Sequence, residues 1–412
     1  MKEARRSFGM KSAITLVAAA ILLPIGGCKQ KPAQTVVTTA PPSATLVEPE
    51  IGGQKVIVLR RSRTGDGTHP EFLSATLLPG RGMNVFQITA YMPGKGEVSM
   101  LTSPSLQDAA KFLDSGPDDL NGNKSFLLGG ALLFPFANRI RGPLTRDKKF
   151  ILATWHGRTV PLVANWHGKK PGAPLVAMHG QMLAAKADAF STQTTSDGAT
   201  ATATYHLKAN GHWFSDNDVT IDASLTADAF TLTLHATNTG GKAEPVGVAW
   251  HGYYQLPSGN RANARLHVPA EMRAEVNNYD DVFPTGKLLP VKGTPYDFTA
   301  PQGAPLPNVL MDESFLQLQH AANGDTEVDL TDVAANYGVR ITALTPLVQT
   351  YQVYSPIDKS FVAIEPQFNY NDPFGKEWGK KDTDMVTVEP GKSVTWKASL
   401  QLFQPSSQGK AQ

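Results

Sequence analysis

The chain has 412 residues, 38 basic and 36 acidic side chains, and a net charge of +2, with 18% of residues charged. That balance excludes the basic surplus a nucleic-acid partner requires and points to a neutral or mildly charged ligand. Cys28 is the only cysteine, so no internal disulfide can form and the fold must be held by its core.

In chain order, a basic start (Lys2, Arg5, Arg6, Lys11) is followed by the apolar run AITLVAAAILLPI and then by Ile25-Gly26-Gly27-Cys28. The run is short for a membrane-spanning helix, and residues 1–27 read as an export signal. The four residues ending at Cys28 resemble the lipobox of bacterial lipoproteins. That resemblance implies cleavage before Cys28 and lipid on its thiol, with the lipid bilayer as a partner. Lys29 in place of Asp implies, by the same convention, the outer membrane, facing the periplasm. Residues 28–52 are rich in Pro, Thr, Ala and Lys without an apolar period, as expected of a disordered tether.

Residues 53–405 read as one domain dominated by period-2 alternation. Examples are Val219-Thr220-Ile221-Asp222-Ala223, Phe230-Thr231-Leu232-Thr233-Leu234, Gly338-Val339-Arg340-Ile341-Thr342 and Val394-Thr395-Trp396-Lys397-Ala398. Turn residues separate such runs, at Ala227-Asp228, Asn238-Thr239-Gly240-Gly241 and Glu389-Pro390-Gly391-Lys392. The best helical stretch is SLQDAAKFLD, residues 105–114. The pattern predicts an all-β architecture of antiparallel strands in two large packed sheets, with few short helices.

The sequence has no Gly-rich phosphate loop, no G-x-S-x-G elbow and no H-E-x-x-H or His/Cys metal spacing. What stands out is polar residues inside apolar runs, because burying such groups is costly unless they have partners or work to do. Asn138 and Arg139 follow Phe134-Pro135-Phe136-Ala137. His179 ends Leu175-Val176-Ala177-Met178, and His251 ends Val246-Gly247-Val248-Ala249-Trp250. Glu365 follows Phe361-Val362-Ala363-Ile364 in a strand expected to stop at Pro366. Burial there raises a carboxyl pKa, which suits a base working near neutral pH.

Asn-Arg-Ile after a Phe-Pro-aromatic run, a downstream His-Gly, a His-x-Tyr, an Asp near a Phe in LMDESF, and Ile-Glu-Pro-Gln occur here in the order found in aldose 1-epimerases, the galactose mutarotases. The likeness runs from about Ser74 to Phe403. It implies a galactose mutarotase-like β-supersandwich that interconverts the α- and β-anomers of a monosaccharide, an aldose of the glucose or galactose type, without metal or other cofactor. Carried over by position, Glu365 matches the general base at the C1 hydroxyl, His251 the acid at the ring oxygen, and His179 a second histidine near both. Arg139 and Asp312 match residues that hold hydroxyls, with Asn138 as their orienting neighbour. This chain departs from the family pattern in His251-Gly252-Tyr253-Tyr254, where proline usually follows the histidine, and in Gln181-Met182-Leu183 after His179-Gly180.

Plainer readings stand beside these. His251 could be a satisfied core histidine, Glu365 an ion-paired strand residue facing Arg139, and Glu313 rather than Asp312 could point inward. Trp250, Tyr253, Phe368 and Trp378 could stack on a sugar face, although aromatics in such numbers are more often core. His156 and His167, in two further Trp-His-Gly triplets, match nothing in the pattern and are expected outside the site. The alternative to an enzyme is a non-catalytic carbohydrate-binding or envelope-structural lipoprotein of the same fold, for which an acid and a base have no use. A sugar phosphate would require further Arg or Lys near the cleft, and the sequence does not place them. Nor does it give the oligomeric state.

Overall fold

Every alternating segment named above is a strand. The computed structural model describes residues 49–115 and 120–405; the expected export signal, Cys28 and the tether up to residue 48 lie outside the described residues. Strand makes up 48% and helix 8%, which gives the all-β class read from the alternation. Among the described residues no helix is long and apolar enough to cross a membrane.

The strands assemble into a nine-stranded and an eleven-stranded antiparallel sheet. Asn217–Leu225 alternates buried and more exposed positions along its length, as a strand with one face on a core must. Its Val219, Ile221 and Ala223 join Leu232, Leu234 and Trp396 of the same sheet in the main core. Ile88, Trp250, Tyr351 and Ile364 enter that core from the eleven-stranded sheet. Burying each large apolar side chain contributes about 1.5 to 3 kcal/mol, so this shared layer holds the two sheets together. Trp250 and Phe368 are core residues, and Trp378 lies in a smaller buried cluster.

The predicted helix is Leu106–Asp114, with Ser105 as its N-cap accepting from the Asp108 amide. It buries Ala109 and Leu113 against Ile51, Val56, Leu78 and Phe86. Its last carboxylate, Asp114, accepts from the Gly52 amide at 3.0 Å and pairs with Arg81 at 2.8 Å. The segment read as tether therefore overlaps the body. Glu50–Ile51 pairs with Gln54–Lys55, and Gly52 and Gly53 turn between them at φ of 66° and 73°. A glycine pair looks like linker by composition, yet a two-residue hairpin loop with positive φ at both positions selects the same residues.

Candidate active site

Four strands of the eleven-stranded sheet lie side by side in the order Met311–Leu318, Thr350–Ser355, Phe361–Gln367 and Ala249–Gln255. They bring Asp312, Gln352, Glu365 and His251 to the lining of one cavity of about 580 Å³. The register sets Gln352 directly opposite Glu365, and Ser314 opposite Gln352, so Asp312 lies on the diagonal. The central strands are buried along nearly their whole length, because one face meets the core and the other this cavity. That is why the sequence shows continuous apolar runs there rather than alternation. Phe361–Gln367 does not stop at Pro366. Its ladder to Ala249–Gln255 runs from Ile364–Gly252 to Gln367–Ala249 and skips Glu365 and Pro366, which gives a residue without an N–H a place in the strand.

The facing wall is a small sheet in which Leu175–Met178 pairs with Trp166–His167 on one side and with Arg139–Ile140 on the other. Met178 lies opposite Arg139, so Arg139 and His179 arrive together. His251 and His179 meet edge to face with ring centroids 5.3 Å apart, and Phe126 packs edge-on against His179 at 4.6 Å.

His251 Nε2 lies 3.2 Å from Glu365 Oε1, and both side chains are more than nine-tenths buried. Arg139 turns to Asp312, with Nη2 to Oδ2 at 3.7 Å, and donates from Nη1 to Asn138 Oδ1 at 2.8 Å. The alternative pairing of Arg139 with Glu365 is not the one formed: the guanidinium lies within ion-pair distance of Asp312, and Glu365 contacts His251 instead. Gln352 donates to Asp312 Oδ1 at 2.5 Å and accepts from Ser314 at 2.5 Å. Asp312, not Glu313, lines the cavity. Glu313 is bound by Arg273 at 2.9 Å and by the Tyr279 hydroxyl.

Burial is the largest cause of each pKa shift. It pushes the Glu365 carboxyl well above the usual range, with Asp312 adding and Arg139 opposing. It drives His251 down to about 4, and Arg139 adds to that. His179 is lowered well below its ordinary value by burial, then by His251 and Arg139. Asp312 is raised by burial against Arg139 and Gln352. The state burial favours is thus neutral imidazole facing protonated carboxyl. Among the described residues His251 Nδ1 and Glu365 Oε2 have no hydrogen-bond partner in the protein, a cost that concentrates at working sites.

All six residues expected at a sugar site therefore line the same cavity, Asn138 among them. The sequence reading missed Gln352, Phe126, Tyr279 and Tyr354. It also missed the mouth, where His167, Lys169 and Lys170 join the lining. His167 was expected outside the site; its strand pairs with the one that delivers His179 and so reaches the cleft. Of the four aromatics considered for stacking, Tyr253 alone lines the cavity. Gly252 has a packing reason, since a Cβ there would come within 3.0 Å of the buried Tyr254 ring. Gln181 faces a second cavity of about 470 Å³ that shares Met178 with the first and is lined by none of His179, His251 and Glu365.

Residues 101–401, more than half of the chain, match the family model described as aldose 1-epimerase. The fold is similar to that of a galactose mutarotase-like protein from Clostridium acetobutylicum, with a TM-score of 0.64 and 16% identity, covering 85% of this chain and 99% of that one. A GalM/aldose epimerase homologue from C. elegans gives 0.61 and 15%, covering 85% and 98%. At these identities the likeness is one of fold. The uncharacterized protein YphB of Escherichia coli K12 is 25% identical over 282 residues, 66% of this chain and 82% of its own length.

Proposed function

The chain belongs to the aldose 1-epimerase family, and from that premise we propose that it interconverts the α- and β-anomers of a free aldose of the glucose or galactose type by acid-base ring opening. The observation that carries the reading is the buried contact of His251 Nε2 with Glu365 Oε1 at 3.2 Å, inside a cavity with hydrogen-bonding groups on two walls.

The Glu365 carboxylate takes the proton of the C1 hydroxyl as the C1–O5 bond breaks, and the electron pair leaving with O5 takes a proton from His251 Nε2. The product is the open-chain aldehyde with a C5 hydroxyl. Rotation about C1–C2 presents the other face of the carbonyl, and closure returns both protons. Ring opening starts from imidazolium and carboxylate and ends at neutral imidazole and carboxyl. Closure runs the reverse. The two states differ by one proton moved between groups already in contact; burial favours the neutral pair, so the ion pair that opens the ring is reached by moving the Glu365 proton to His251 Nε2. The His179 ring donates from Nε2, because its Nδ1 accepts from the Asn138 amide. Arg139, Asp312 and Gln352 hold hydroxyls away from C1.

We also infer from Ile25-Gly26-Gly27-Cys28 that the mature protein is anchored in the cell envelope by lipid on Cys28, facing the periplasm. Polarimetry of freshly dissolved α-D-glucose and α-D-galactose with the purified body tests the activity. An approach to the equilibrium rotation well above the buffer rate is expected; a rate equal to buffer for both sugars would return the protein to the non-catalytic carbohydrate-binding class. Loss of detergent-phase partitioning in Cys28→Ala tests the anchor.

A further inference from the structure

We propose that the cleft takes an aldose bearing an anionic group remote from C1, recognised at its mouth by Lys169 and Lys170; this rests on the sugar-epimerase reading of the same site. Both lysines are exposed and line the cavity that contains His251 and Glu365. They sit in the turn that joins Trp166–His167 to Leu175–Met178, so the hairpin that places His179 near C1 also places these two ammoniums at the opening.

The turn is built, not merely exposed. Asp280 accepts from the Lys169 amide at 2.9 Å and from the Lys170 amide at 3.2 Å. Gly168 lies so close that a Cβ there would meet Asp280 Oδ2 at 2.5 Å. The one acidic side chain at this end of the lining is thereby engaged by backbone N–H groups. Among the described residues neither lysine ammonium lies within ion-pair distance of a carboxylate. Deeper in the cavity the charges are matched, since Arg139 pairs with Asp312. The two ammoniums at the mouth thus stand without an ion-pair partner, and against the single Asp280 carboxylate they leave net positive charge there. A neutral hexose makes no use of two adjacent ammoniums there. A carboxylate or phosphate on the far end of the sugar, or on a residue linked to it, does.

The test uses D-glucose, D-glucuronate and D-glucose 6-phosphate at low ionic strength, with anomer exchange followed by NMR and binding by titration calorimetry. In the wild-type protein KM and Kd should be lower for at least one anionic sugar than for glucose, by about tenfold for two exposed ammoniums, and the preference should shrink as salt is raised. In Lys169→Ala/Lys170→Ala the ratio of anionic to neutral KM should rise by the same factor. The arm that responds, carboxylate or phosphate, identifies the group. Equal KM and Kd for glucose and both anionic sugars in the wild type, or an unchanged ratio in the double variant, would overturn the proposal while leaving the epimerase reading intact. If no sugar is turned over, that reading fails, and the calorimetric ratio still decides whether the mouth binds anions.

Discussion

Asn138 and His179 are bonded to each other reciprocally: the Asn138 amide donates to His179 Nδ1 at 3.2 Å, and the His179 amide donates to the Asn138 carbonyl at 3.0 Å. Both residues have positive φ, 63° and 62°. The first bond makes Nδ1 an acceptor and so puts the imidazole hydrogen on Nε2. Asn138 also holds the Arg139 guanidinium through Oδ1, so one residue orients two of the groups that would meet the sugar.

Substitution separates these duties. Asn138→Gly keeps the left-handed backbone and removes the Arg139 acceptor, whereas Asn138→Ala removes both. The alanine variant should be less stable than the glycine variant by about 1 kcal/mol, the scale of the left-handed penalty for a residue with Cβ. Both should raise KM about tenfold through loss of one hydrogen bond to a charged group. Thermal melts and initial rates check this. Equal melting of the two variants would remove the backbone argument, and wild-type KM in both would remove the orienting role.

Arg139→Ala leaves Asp312 buried without its cation, and its carboxyl, already raised by burial, should rise further. KM should increase by about 10- to 150-fold, the equivalent of 1.5 to 3 kcal/mol for a hydrogen bond to a charged group, with a smaller change in kcat. Arg139→Lys should recover only part, because an ammonium cannot hold Asn138 and Asp312 with one planar fork. Unchanged kinetics in Arg139→Ala would put the guanidinium outside the site.

Glu244 offers a pH test away from the cleft. It is fully buried, accepts from Asn217 at 3.0 Å, and burial pushes its carboxyl up from 4.5 to about 7. A folded pKa above the unfolded one means the folded state holds the proton longer. This group's cost is therefore absent below about pH 4.5, grows as pH rises, and is complete above about 7, where it reaches on the order of 3 kcal/mol. Glu244→Gln keeps an acceptor for Asn217 and removes the ionisation. Its melting temperature relative to wild type should be higher at pH 8 than at pH 4.5. A difference that does not vary with pH would show that Glu244 ionises normally.

The sheets were legible because alternation is a local property, and so were His251 and Glu365, since a polar side chain in a buried strand interrupts an apolar run. Strand order was not. Ser393–Phe403 lies between Phe230–Asn238 and Tyr337–Ala343, and no local pattern encodes which neighbours a strand will find. The pairing of Arg139 with Asp312 depends on that order and was hidden with it. Gln352 was missed because a neutral amide in Thr350-Tyr351-Gln352-Val353 breaks no pattern. Lys169 and Lys170 carry no signal in the sequence, and only the fold of the hairpin brings them to the lining of the cleft.

The three Trp-His-Gly triplets give the sharpest contrast in consequence. His251→Asn and Glu365→Gln should each lose about 10²- to 10⁴-fold in kcat with the fold intact, the scale of a positioned acid or base. The double variant should lose much less than the product, because both groups act on one ring-opening event. His156 stacks on Trp155 at 4.2 Å and, with Gly157, forms the two-residue loop between Trp155 and Arg158 at φ of 47° and 76°. Asparagine followed by glycine is the favoured pair for that turn, so His156→Asn should keep full activity and melt no lower than wild type. His167, at the cavity mouth, should shift KM severalfold as His167→Asn and leave kcat within about the same factor, the effect of a group that touches substrate away from the reacting bond. Optical rotation on all five proteins, with circular dichroism for folding, decides among them. A folded His251→Asn protein as fast as wild type would sink the mechanism, and activity lost in His156→Asn would show that the chemistry was assigned to the wrong triplet.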